Sequence, residues 1–169
     1  RALLRRHFAS LGLQLLEFGL STWASDRRVL RLTRIDGLHH LKEATRGGKG
    51  AILLSGHFAP MEFSGRRLSL EFPGCAAVYR PSRNPLVDAI VRRSRRGATR
   101  DLIAKDSMRP MIRKLSKGVS VWYAPDQSYR RHYSVLVPFC GEPAMTNGAL
   151  THIARISGAP VVPYIVRRL

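Results

Sequence analysis

The chain has 169 residues and carries 29 Lys and Arg against 11 Asp and Glu, a formal charge of +18. With 44% hydrophobic and 24% charged residues it has the composition of a globular protein, not of a disordered polyelectrolyte, and its length fits one domain or a large part of one. Two cysteines, Cys75 and Cys140, are too few for a disulfide framework and stand far from any His cluster, so they read as reduced thiols and no metal is expected.

Residues 2–23 repeat apolar side chains at spacings of three and four (Leu4, Phe8, Leu11, Leu15, Phe18), which predicts one amphipathic helix. Its apolar stripe suits either the core or, with Arg1, Arg5 and Arg6 beside it, an anionic membrane surface. The stretch 8–24 holds Gln14 and Glu17 and is too short and polar to span a bilayer, and the start does not read as a signal peptide. Residues 26–50 read as a connector with a short strand over 29–35 and a short helix over 38–45, ended by Gly47 and Gly48. From Gly50 onward short β-rich runs alternate with helical segments. Strands are expected over 51–55, 75–80, 101–104, 119–124 and 161–166, with helices over 60–71, 85–96, 107–116 and 147–157 and an outlying strand over 135–139. Ser107 is a candidate helix cap, and Gly97, Gly118 and Gly158 are candidate stops. The fold expected is α/β: a mostly parallel central sheet flanked by helices, with residues 1–49 as an N-terminal helical segment and connector and 50–169 as the core. A start at Arg1 and an end directly after an apolar run read as a segment of a longer chain.

Three loops at strand ends carry the candidate chemistry, because such loops build the sites of α/β sheets. The first is Ser55-Gly56-His57-Phe58-Ala59-Pro60-Met61-Glu62. On a continuous helix His57 and Glu62 would be about 140° apart, but Pro60 opens a new helix and leaves His57 in the loop, which permits a His–carboxylate pair for general-base work. The plain alternative is a loop His and a solvated Glu. The second loop is Tyr79-Arg80-Pro81-Ser82-Arg83-Asn84-Pro85, in which Arg80 ends an apolar strand; Arg92, Arg93, Arg95 and Arg96 follow on the next helix, as anion-binding groups or as a solvated basic face. The third is Ala124-Pro125-Asp126-Gln127, where Asp126 stands at the mouth of an apolar strand either to orient guanidinium groups or bind a substrate hydroxyl, or to cap a helix or turn, and Arg130, Arg131, His132 and Tyr133 come next. Of the 29 basic residues 24 are Arg, whose planar fork grips phosphate or carboxylate. Neither a helix-turn-helix, a zinc-finger spacing nor an aromatic stacking motif is present, so nucleic acid is not the expected partner.

The ordered motifs resemble the bacterial lipid A biosynthesis acyltransferases, a family of late acyltransferases. His57 and Glu62 match its HX4(D/E) motif; Tyr79, Arg80, Pro81, Asn84 and Pro85 its YRP…NP block; and Arg93, Arg95, Arg96 and Gly97 its Arg-rich segment. Lys105 and Asp106 match its Lys-Asp pair, and Asp126 and Gln127 its D-Q/H block. Val137, Pro138, Phe139, Gly141, Pro143, Ala144, Thr146 and Gly148 match the segment that leads to the Ala154–Pro163 ending. The resemblance implies a glycerolipid acyltransferase-like fold, no metal or organic cofactor, and transfer of a fatty acyl group from acyl-carrier protein to a hydroxyl of a hydroxyacyl chain on a Kdo2-lipid IVA-type phosphorylated glycolipid. It places the enzyme at the cytoplasmic face of the inner membrane, an anionic surface. His57 would be the base, Glu62 its orienting partner, and Arg80, Arg96 and Asp126 the substrate-binding set. A different lipid acceptor, a lysophospholipid or a mannosylated phosphoinositide, and a catalytically inert membrane-binding module are the alternatives.

Overall fold

The structure, a computed structural model, describes residues 1–99, 101–104, 107–127 and 133–169. Lys105, Asp106, Arg130, Arg131 and His132 of the motifs above lie outside them. Five parallel strands form the central sheet: β1 (Ile52–Leu54), β2 (Ala76–Tyr79), β3 (Asp101–Ala104), β4 (Val121–Tyr123) and β7 (Val161–Pro163), in the spatial order β3-β2-β4-β1-β7. Helices α4 (Met61–Glu71), α5 (Pro85–Arg96), α6 (Met108–Ser116) and α7 (Ala149–Ser157) supply the crossovers. Alternating side chains send Ile52, Ala76 and Val121 to one face, where Met111 and Leu115 of α6 and Ile153 of α7 cover them. Leu53, Cys75 and Trp122 go to the other, under Leu68 of α4 and Leu41 of α3 (Leu38–Ala44). The sheet is buried on both faces, as the apolar runs of its strands require.

One expectation is corrected. The strand expected over 29–35 lies mostly within a helix, α2 (Asp26–Leu32). Ser25 caps it by accepting from the Arg28 N–H, Asp26 complements its first turn, and buried Val29 anchors it, so the capping signal outweighs the charge alternation. A second outlying strand, to which the sequence assigned no element, precedes α7: β6 (Glu142–Asn147) pairs antiparallel with β5 (Ser134–Phe139) across the two-residue turn Cys140-Gly141, both with positive φ (53° and 87°). That conformation is the one that matches the twist of a two-residue hairpin.

Helix α1 (Ala2–Trp23) packs on α4 and α5, but with its apolar stripe outward. Leu4, Phe8 and Leu15 are 60%, 63% and 75% exposed, whereas the polar residues Ser10, Gln14 and Glu17 are partly covered and Ser21 is buried. Ser21 Oγ lies 2.9 Å from Ser94 Oγ of α5, and Arg168 donates to Glu17 at 2.6 Å and to Ser10. The core-facing reading of the stripe is thereby overturned: polar contacts dock this helix. No helix among the described residues is long and apolar enough to cross a membrane.

Candidate active site

β1 and β4 are neighbours in register, with Leu54 opposite Tyr123. His57 and Asp126 each stand three residues beyond that pair, so the two loops leave the C-terminal edge of the sheet side by side. His57 Nδ1 lies 2.5 Å from Asp126 Oδ1, and the His57 backbone N–H donates to Oδ2 at 2.7 Å. Gly56 allows the approach, since a β-carbon there would sit 3.2 Å from Asp126 Oδ2. Burial of the Asp126 carboxyl would raise its pKa, but the hydrogen bonds from His57 outweigh that effect and lower it below the usual value. An ionised carboxylate only accepts, so the proton of a neutral imidazole sits on Nδ1 and the lone pair on Nε2 is free to act as a base. Trp122 packs edge-on to the ring, with centroids 6.3 Å apart.

The pairing of His57 with Glu62 expected from their spacing is not the one formed. Glu62 is in the first turn of α4, where its carboxylate faces α5 and meets Arg95: Nε donates to both oxygens at 3.1 Å and Nη2 to Oε1 at 2.6 Å. Both side chains are largely buried. Arg95 and Arg92 also lie over the ring of Tyr79, with their Cζ atoms 5.5 and 5.3 Å from its centroid. Arg92 and Arg95, three apart, share the side of α5 that stands over Tyr79, with Arg92 half-exposed and Arg95 covered. Arg96, the next residue, is turned away and exposed. Among the described residues Arg80 and Arg95 line the cavity beside His57 and Arg96 does not.

That cavity has a volume of about 540 Å³ and carries His57, Glu62, Arg80 and Arg95, with Val78, Met108, Met111 and Ile153 among its apolar walls. Its size is that of a small-molecule site. The Tyr79-to-Pro85 loop is built to hold Arg80 at the rim. Asn84 caps α5 by accepting from the N–H groups of Leu86 and Val87, Pro85 opens the helix, and Asp88 accepts from the Ser82 N–H and from Arg92. Asn84 and Pro85 are thus structural members of their motif. On the far side Asn147 Nδ2 donates to the Tyr123 hydroxyl at 2.9 Å and ties the base of the β5–β6 hairpin to the end of β4. The Arg95–Glu62 pair and the Gly56 contact escaped the sequence reading because each joins separate elements. The one sequence signal was a run of Arg residues on a helix that follows a strand-end loop. No group of three or more His, Cys, Asp or Glu among the described residues is arranged to hold a metal ion.

The family model for bacterial lipid A biosynthesis acyltransferases matches residues 1–169. The chain belongs to this family. It is 36% identical over 169 residues to the lipid A biosynthesis lauroyltransferase of Escherichia coli K12, covering 99% of the chain and 55% of that relative. A lipid A biosynthesis acyltransferase of Haemophilus influenzae is 32% identical, with 96% of the chain and 52% of the relative covered. The palmitoleoyltransferase of Escherichia coli K12 is 34% identical, with 95% and 52% covered. The chain therefore spans about half the length of these relatives.

Proposed function

We propose that this member of the family carries the acyl-transfer centre of a lipid A biosynthesis acyltransferase, with His57 as general base and Asp126 as the carboxylate that orients it. The observation that carries this reading is the 2.5 Å contact between His57 Nδ1 and Asp126 at the mouth of an apolar-walled cavity. His57 Nε2 takes the proton of an acceptor hydroxyl. The oxygen attacks the thioester carbonyl of an acyl-carrier-protein donor, the C–S bond breaks, and the leaving thiolate recovers the proton from His57. Arg80 supplies positive charge at the rim for an acceptor phosphate or the developing oxyanion. Glu62 acts one step removed by fixing Arg95 in the cavity wall. The acceptor is a phosphorylated glycolipid of the Kdo2-lipid IVA type. The outward apolar stripe of α1 beside Arg1, Arg5 and Arg6 supports peripheral attachment to an anionic bilayer, the cytoplasmic face of the inner membrane.

The test is acyl transfer from an acyl-carrier-protein thioester to a lipid A precursor by the full-length enzyme. His57→Ala and Asp126→Asn should each lower kcat/KM by roughly 10²–10⁴-fold, and the double variant should be scarcely worse than His57→Ala alone because the two act as a unit. Glu62→Gln should act chiefly on KM. If Glu62→Gln is as damaging to kcat as His57→Ala while Asp126→Asn is nearly silent, the orienting role returns to Glu62.

A further inference from the structure

The β5–β6 hairpin is anomalous for a chain in which about a quarter of the residues are charged. Residues 134–147 contain one charge, Glu142, and the outer part of the hairpin touches little else. Leu136 is 66% and Phe139 71% exposed, and neighbouring strand residues point to opposite faces, so neither face is covered there. Six residues per strand carry the tip about 20 Å from the root. The root is part of the site: Tyr133 and Asn147 line the His57 cavity, and the Gly148 N–H donates to the Tyr133 carbonyl at 2.8 Å to close the base.

The edges of the hairpin argue against another strand as its partner. Phe139 and Glu142 flank the two-residue turn, where the paired residues exchange hydrogen bonds, so the N–H positions of the next pair face outward. Both of those residues are proline, Pro138 and Pro143, which deprives each outer edge of a donor near the tip. What suits an apolar, nearly uncharged projection with blocked edges is a medium that asks for no backbone pairing. The rest of the chain selects the sign of that medium: the same C-terminal rim of the sheet carries exposed Arg80 and Arg83 and, in the first turn of α5, exposed Leu86 and Val87.

We propose that the β5–β6 hairpin is a membrane-inserting element, its tip entering the acyl region of an anionic bilayer beside the mouth of the His57 cavity, so that an acceptor's acyl chain passes along Leu136 and Phe139 without crossing water. It rests on the reading of this chain as an enzyme acting on a bilayer-held lipid, but its test needs no turnover. The hairpin carries its own probe: Cys140 is exposed at the tip, whereas Cys75 is buried and its thiol is pushed up to about 11 by that burial.

An environment-sensitive dye is attached to Cys140 of the chain, and vesicles of phosphatidylglycerol and phosphatidylethanolamine are added, with pure phosphatidylcholine for comparison. The expected result is a blue shift and protection from iodide on the anionic vesicles. Sedimentation of unlabelled Leu136→Asp and Phe139→Asp should show partitioning reduced about tenfold relative to the parent, the scale of losing one buried large apolar side chain. Phe8→Asp on α1 reports the other membrane-facing element. If the parent sediments with vesicles and Phe8→Asp does not, while the dye stays open to iodide and Leu136→Asp and Phe139→Asp bind normally, the hairpin proposal is wrong and the membrane reading stands. No binding by any form overturns both. A dye shift that grows with protein concentration in the absence of lipid assigns the hairpin to a second copy of the chain and likewise overturns the proposal.

Discussion

Asp126 accepts from both the backbone and the ring of His57, and that double contact makes the site sensitive to acid in a calculable direction. A carboxylate whose folded pKa is lowered stabilises the fold at every pH above its unfolded value of about 3.9, and that contribution fades as the pH falls from there through the lowered value. Asp126→Asn has no such titration. The Tm gap between the parent and this variant should therefore be level between pH 5 and 6 and close below about pH 4; a gap as wide at pH 3 as at pH 5.5 would show that the carboxylate is not held as described. At this scale the sequence reveals types of residue better than pairs. His57, Glu62, Arg80 and Asp126 all stand out because a charged or titratable group ends an apolar run, and three of the four line one cavity while the fourth, Asp126, is bonded to His57. Which carboxylate meets the imidazole depends on the adjacency of β1 and β4, a contact across 69 residues that no local spacing encodes.

Among the elements, α1 is held by a device that adjacent arginines on α4 bring into contrast. The last turn of α1 has no basic residue of its own, and Arg66 supplies the charge from outside: Nη1 donates to the carbonyls of Leu20 and Ser21, and Nη2 to the Ala24 carbonyl and Asp26. It thus caps one helix and tethers the start of the next. Arg67, one position on, is buried and ion-paired with Glu71, but its Nε and Nη1 have no hydrogen-bond partner among the described residues. Arg66→Met should cost about 1–3 kcal/mol in urea unfolding and speed hydrogen exchange at residues 20–24, with Arg66→Lys restoring part of the loss. Arg67→Met should be neutral or stabilising, because an apolar side chain of similar length removes unmet donors from the interior. Equal losses for the two would remove the distinction between a capping and a frustrated guanidinium. The elements themselves were largely legible, since strand and helix periods alternate cleanly after Gly50. The misread element, α2, and the unassigned one, β6, fall where capping by Ser25 and pairing with β5 override weak local patterns.

In the molecule as a whole, polar and apolar surfaces are distributed against the usual rule: the first helix shows its polar side to the protein and its apolar side outward, and the hairpin leaves its apolar residues uncovered. The two thiols report on this arrangement without mutagenesis. A thiol-reactive chromophore at neutral pH should consume one equivalent in the native protein, at Cys140, and two in denaturant, since Cys75 is buried beneath α4; two fast equivalents in native buffer would mean that the face of the sheet under α4 is open. The composition showed a strongly basic chain but did not reveal where its apolar surface lies, because a helical stripe has the same period whether it faces a core or a bilayer. One arrangement, the equal three-residue reach from Leu54 to His57 and from Tyr123 to Asp126, bears on how such a site can change over generations. A single residue gained or lost in either connection would shift one partner by about 3.3 Å and reverse the side on which it emerges. The two connections can alter their lengths only in concert, and at Gly56 a side chain would press on the Asp126 carboxylate, so the span between imidazole and carboxylate behaves as a fixed gauge.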